Sequence, residues 1–151
     1  MAQYDLATAY ADAAGRTPNT IYPAGDVNLA NTTLTPGIYQ ATSSLQIGAG
    51  TLTLSGGSGS VFIFQIGSTL TTASSTVVAL TGGVSAANVY WQVGSSATLG
   101  SSSAFSGIIM ANDDITIASG ATLAGQALAL GVGGATGAGT IILGGGDTIT
   151  P

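Results

Sequence analysis

The segments "VFIFQIG" (61–67) and "NVYWQVG" (88–94) match position by position. Each runs directly into a stretch of small and hydroxyl-bearing residues, "GSTLTTASS" (67–75) and "GSSATLGSSS" (94–103). A chain that repeats an apolar strand followed by a hydroxyl strand has to bury the first and display part of the second. Strand side chains point alternately to opposite faces. On that period Phe62, Phe64 and Ile66 share a face with Val89, Trp91 and Val93. The other face carries Val61, Ile63 and Gln65 beside Asn88, Tyr90 and Gln92. Both faces are largely apolar, so these strands need cover on both.

The hydroxyl segments are also alike. When "GAGTLTL" (48–54), "GSTLTT" (67–72), "GSSATL" (94–99) and "ASGATL" (118–123) are aligned, four columns result. Thr51, Thr69, Ser96 and Gly120 form the first column, and Leu52, Leu70, Ala97 and Ala121 the second. Thr53, Thr71, Thr98 and Thr122 form the third, and Leu54, Thr72, Leu99 and Leu123 the fourth. Hydroxyl columns therefore alternate with mainly apolar ones, which places the leucines in a core and the threonines outside. Stacked in register, the four segments would build one hydroxyl-bearing face with rungs about 4.7–4.9 Å apart. A looser third set comprises "TVVAL" (76–80), "FSGIIM" (105–110) and "QALAL" (126–130).

Three short strands in each unit of roughly 20–27 residues indicate a solenoid. The 24 glycines suit its corners. Hairpin signals such as Asn-Gly and Asp-Gly are missing, which disfavours a propeller or a sandwich. "AQYDLATAYADAA" (2–14) reads as a helix with Leu6, Tyr10 and Ala13 on one stripe. Gly15 suits its C-terminal cap and Pro18 stops it. This helix is the expected lid over the second apolar face. Asp12 and Arg16, four apart, are expected to make a small exposed ion pair. The expected organisation is a single β-solenoid domain over 1–151, with the helix in 1–15 and β-coils from 34 to 151.

Composition removes most chemistry. Only 5% of residues are charged, against about 25% in ordinary soluble domains. Lys, His, Glu and Cys are absent, leaving Arg16 and six aspartates: Asp5, Asp12, Asp26, Asp113, Asp114 and Asp147. Serine–histidine and cysteine–histidine nucleophile pairs, Schiff-base lysines and zinc clusters are thereby excluded. The reading is of a protein that is not an enzyme and has no catalytic, metal-binding or cofactor-binding residues. The net charge of −5 disfavours nucleic acid as a partner. No apolar run is long enough for a membrane span, and no signal peptide is visible at the start. Adjacent Asp113 and Asp114, after Asn112, read as a turn and supply too few ligands for calcium. Tyr90 and Trp91 could stack on a sugar, but are better read as a residue under the helix and a core residue.

Five segments, "AYADAAGRTP", "LTPGIYQ", "VFIFQIGSTLTTASS", "NVYWQVGSSATLG" and "ITIASGATLAGQALA", resemble the ice-binding proteins of the DUF3494 type, from about residue 3 to the C-terminus. The resemblance implies a mainly β fold: a right-handed β-helix of triangular section with one α-helix alongside. It implies antifreeze-type adsorption to ice through a flat face, without cofactor, in a secreted or extracellular protein or an adhesin module. Two departures stand out. Family members usually carry strands before the helix, and these form a coil that stacks on the C-terminal one. That implies an uncovered coil end here. They also usually have a shorter, more polar link, often with an arginine, where this chain has "GQALALGVGGATGAGT" (125–140).

For ice, the candidate face is Thr51, Thr53, Thr69, Thr71, Ser96, Thr98 and Thr122. A threonine hydroxyl anchors water while its methyl excludes it, and the β-branch limits the entropy lost on ordering. Threonine is also an ordinary exposed strand residue. The partner is then ice or an ordered water surface. The alternative is a structural subunit that self-assembles head to tail into an extracellular filament through exposed coil ends, with "IIL" (141–143) and "TIT" (148–150) as the terminal coil. Low charge and a mean hydropathy of +0.51 motivate that alternative.

Overall fold

The structure is a computed structural model that describes residues 2–25, 27–131 and 139–151, with side chains from Leu6 onward. Residues 132–138 of the "GQALALGVGGATGAGT" link, and Asp26, lie outside the described residues. Helix α1 spans Ala2–Gly15, as its alanine content and the glycine at its end predict. The rest is wound into coils. The first coil contains β1 (Thr20–Tyr22), β2 (Val27–Asn28) and β3 (Thr32–Leu34); the second contains β4 (Gly37–Ala41), β5 (Leu45–Ile47) and β6 (Thr51–Ser55). The third contains β7 (Phe62–Ile66), β8 (Leu70–Thr72) and β9 (Val77–Thr81). Then follow β10 (Val89–Val93), β11 (Ala97–Leu99), β12 (Ala104–Ala111), β13 (Ile115–Ile117), β14 (Thr122–Ala129), β15 (Ile141–Leu143) and β16 (Thr148–Thr150). Strands begin at Thr20, earlier than the expected 34. The first coil was missed because its strands are only two or three residues long, too short to show an alternation.

Every strand pairing is parallel, and each strand stacks on its equivalent in the next coil. Three columns result, each one side of a β-helix. The helix side is β1, β4, β7, β10 and the second halves of β12 and β14. The narrow side is β2, β5, β8, β11, β13 and β15. The broad side is β3, β6, β9, the first halves of β12 and β14, and β16. β12 and β14 each run through a corner, from the broad side to the helix side. The looser third set therefore divides: 77–81 lies on the broad side, 105–110 bends round the corner and 126–129 lies on the helix side.

Inward residues fill the centre. Leu52, Leu54, Phe62, Phe64, Leu70, Val89, Trp91, Val93, Leu99 and Ile109 are fully buried. The register Phe62–Val89, Phe64–Trp91 and Ile66–Val93 is the one read from the matched segments. It stacks the rings: Phe64 lies 5.5 Å from Tyr39 and 3.9 Å from Trp91, and Phe105 closes the row 4.8 Å beyond Trp91. Burying each such side chain stabilises the fold by about 1.5–3 kcal/mol. The Trp91 indole N–H donates to the Ser106 carbonyl at 3.0 Å, so its one polar group is satisfied.

The helix covers the outer surface of the helix side. Ala13, Ile63 and Met110 are buried together, packed by Leu6, Tyr10, Ile38, Tyr90, Ile108 and Leu128. The Tyr10 hydroxyl donates to the Val93 carbonyl at 3.1 Å. Burial raises the Tyr10 phenol pKa above its ordinary value; a hydrogen bond from Gln92 opposes this and nearby Asp113 adds to it. Arg16 pairs with Asp12 at 2.9 Å on the exposed surface. The helix end is held by a residue the sequence reading did not single out. Buried Gln65 donates from Nε2 to the carbonyls of Ala13 at 2.8 Å and Arg16 at 2.6 Å. The last carbonyls of a helix have no partner within it, so this amide supplies one. Gln65→Ala should destabilise the fold by about 1–3 kcal/mol, with faster amide exchange in the last helical turn. A loss too small to measure, with exchange unchanged, would refute that role.

Candidate functional site

The helix occupies one side, so a flat partner can meet the other two. Successive partners on the helix side are 19, 25, 27, 18 and 18 residues apart in sequence. The two long steps carry their extra residues, 56–61 and 82–88, at the corner between the broad and helix sides. This variable step divides the candidate residues. Thr51, Thr53 and Thr122 lie on the broad side, in β6 and β14. Thr71 and Thr98 lie on the narrow side, in β8 and β11, with Thr69 and Ser96 at the corner leading into them. The single hydroxyl face expected from Thr53, Thr71, Thr98 and Thr122 is thus corrected to two faces. The aligned segments share one local task, a small-residue corner followed by a half-buried strand. That task recurs at two different corners, so local likeness does not identify the side.

The broad side is the larger surface. One ladder runs Thr51, Val77, Ala104, Thr122, Thr148. A second begins Thr33, Thr53, Ala79 and continues at Ser106, Ala124, Thr150. On β6 and β9 a third pair, Ser55 and Thr81, extends it. Every outward residue is Thr, Ser, Ala or Val. Directly beneath, Leu52, Leu54, Val78, Phe105 and Leu123 are at most 3% exposed, which fixes the strands from below. The sequence reading missed Val77, Ala79, Ala104 and Ala124 because it sought hydroxyls. The available signal was "AFSGIIMA" against "TLAGQALA", which pair residue for residue across β12 and β14.

The narrow side presents Gln46, Thr71, Thr98 and Thr116 in register. Its corner hydroxyls are tied to neighbours: Thr69 Oγ1 donates to Ser44 Oγ at 2.9 Å, and Ser96 Oγ accepts from the Asp114 N–H at 3.4 Å. Asn112 and Asp113 lie in a bend, with Asp114 directly after it, and Asp114 Oδ1 accepts from the Thr140 N–H at 2.9 Å. Among the described residues no group of three or more His, Cys, Asp or Glu could hold a metal ion. No helix among them is long and apolar enough to cross a membrane. β15 and β16 form the last described rung, with Ile141, Ile142, Leu143 and Ile149 exposed.

An uncharged array of methyls and hydroxyls on a buried apolar support sets no histidine, lysine or carboxylate beside its hydroxyls to activate them. What it can do is hold water in a regular pattern.

Comparison with known proteins agrees with this chemistry. The family model described as "Ice-binding-like" matches residues 1–136. An ice-binding protein of Nostoc sp. (strain HG1) is 47% identical over 131 residues, which cover 85% of this chain and 47% of that protein. An ice-binding protein of Flavobacterium frigoris (strain PS1) is 38% identical, over 83% of this chain and 45% of that protein. The crystal structure of an ice-binding protein from an Antarctic biological consortium superposes with a TM-score of 0.87 at 40% identity, covering 99% of this chain and 65% of that one. The chain thus spans just under half the length of these two curated relatives.

Proposed function

Because the chain belongs to the ice-binding-like family, we propose that it adsorbs to ice through its broad side, as a non-catalytic antifreeze-type protein that needs no cofactor. The observation that carries this reading is the uncharged Thr/Ser/Ala/Val surface, held in register from β3 to β16. Charged groups would bind water strongly and out of pattern, and the broad side has none. Its β-branched side chains have few rotamers to lose on ordering. Repetition at the strand spacing of about 4.7–4.9 Å gives adsorbed water a regular template. The candidates Thr51, Thr53 and Thr122 keep their proposed role on this side, joined by Thr33, Thr148 and Thr150. The alternative, a head-to-tail filament subunit, finds no support in the relatives described above.

The same reading places the protein outside the cell, in contact with the freezing medium. The test is growth of a single ice crystal in supercooled solution of the purified chain, repeated with medium and lysate from the source cells. Faceted, slowly growing crystals are expected, with the activity in the medium. Smooth discs growing as fast as in buffer would refute ice adsorption, and activity confined to the lysate would refute the extracellular placement.

A further inference from the structure

The outer surface of the helix side carries a row of carboxamides. Gln40, Gln65 and Gln92 pair in register across β4, β7 and β10. The row is polar only there: Ile21 stands beside Gln40 at one end, and Met110 beside Gln92 at the other. Two of the three have tasks in the fold. Gln65 holds the end of α1, and Gln92 supports the Tyr10 hydroxyl. The fold gives the Gln40 carboxamide no such task.

Over this row lies a hollow of about 470 Å³, at the corner where the helix side turns into the narrow side. Tyr10 and Ala14 wall it from the helix, and Thr42, Gly67 and Gly94 line it along the corner. A Cβ at Gly67 would strike the Thr42 carbonyl, and one at Gly94 the Gly67 carbonyl. Close stacking of the coils therefore keeps this corner bare and the hollow open. Gln65, only 3% exposed, belongs to its wall, and Gln65 Oε1 has no hydrogen-bond partner among the described residues. A buried oxygen of that kind costs stability until a donor reaches it.

The walls select a class of ligand. The carbonyl end of α1 carries partial negative charge and the chain a net charge of −5, so an anion is repelled. No carboxylate lines the hollow to hold a cation. An apolar ligand would leave the carboxamides and the Thr42 hydroxyl without partners. A neutral molecule with several hydroxyls matches, because each hydroxyl both donates, as Gln65 Oε1 requires, and accepts, as the Gln40 amide N–H groups require. We propose that this hollow binds a small neutral polyhydroxyl compound of monosaccharide size. Its volume is within the usual range for small-molecule sites. The inference does not rest on ice adsorption, since the hollow opens away from the broad side.

The test is a titration of the isotope-labelled full chain with glucose, followed by NMR through the side-chain amides of its glutamines. The resonances of Gln40 and Gln65 are expected to shift and to saturate at roughly millimolar glucose. Those of Gln46 and Gln126, exposed elsewhere, should stay in place and serve as internal controls. Gln40→Ala and the rim variant Thr42→Val should each weaken binding by roughly tenfold and leave ice-crystal growth as in wild type. Shifts that never saturate, or that are equally large at Gln46 and Gln126, would overturn the inference by reducing it to a solvent effect. Saturation by methylammonium chloride but not by glucose would overturn the ligand class. Wild-type affinity in both variants would remove the ligand from this hollow. A chain that binds glucose here but fails to shape ice would refute the proposed function and leave this site standing.

Discussion

Ala79→Tyr is expected to reduce ice adsorption to near background while leaving the fold intact. Ala79 lies in β9 on the broad side, beside Thr53 in the register. Its methyl points outward on the rung next to Thr53, so a tyrosine ring there stands above its neighbours. With rungs about 4.7–4.9 Å apart, one raised ring holds a flat crystal off the rungs on both sides, and the contact area is lost together. The strand itself tolerates the change, because tyrosine is a good strand residue and outward substitutions usually shift stability by less than about 0.5 kcal/mol. Crystal growth rate and thermal unfolding should therefore separate: the first approaches that of buffer, the second stays near wild type. Ala11→Tyr, on an exposed position of the helix, is the control and should retain activity. Wild-type crystal shaping by a natively folded Ala79→Tyr would remove the broad side from consideration.

The alternation of residues makes much of this molecule legible from sequence. Period two separates inward Phe64 and Trp91 from outward Gln65 and Gln92, and the matched segments give the correct register between β7 and β10. It cannot assign a hydroxyl strand to a side, because each side of a solenoid poses the same local problem: a small-residue corner, then alternate burial. The assignment depends on counting residues between equivalent corners. That count varies here because the insertions at 56–61 and 82–88 lengthen two coils and not the others. Hence Thr53 and Thr71 look equivalent in sequence and lie on different sides. The search for threonines had a second cost: it passed over Ala79 and Ala124, whose methyls do not project beyond the threonine side chains and so leave the surface without a bump. Gln65 was equally invisible, since its partners are carbonyls of the Ala13–Arg16 turn, some 50 residues away in sequence.

Gly125→Val is expected to cause the largest loss of stability from a single residue outside the hydrophobic core. Gly125 marks the corner at which β14 passes from the broad side to the helix side, with φ of +145°, a conformation that L-residues rarely adopt. Strain of that kind costs on the order of 1–3 kcal/mol by itself. A Cβ added there would also overlap the carbonyl oxygen of Gly107, its equivalent one coil earlier, and that obstacle is backbone and cannot rotate aside. Relief requires the two coils to separate, which breaks ladder pairs on both sides of the corner. A total loss of about 3 kcal/mol or more is expected, lowering the midpoint of thermal unfolding by roughly 6–12 °C in a chain of this length. Gly57→Ala is the control: no atom lies near a Cβ at that position, and its midpoint should stay near wild type. Because the corner places Thr122 and Ala124 on the broad side, Gly125→Val should also weaken ice adsorption before the rest of the coil unfolds. A midpoint within about 2 °C of wild type would show that β12 and β14 are not locked at this glycine, and that the broad side does not depend on it for its level surface.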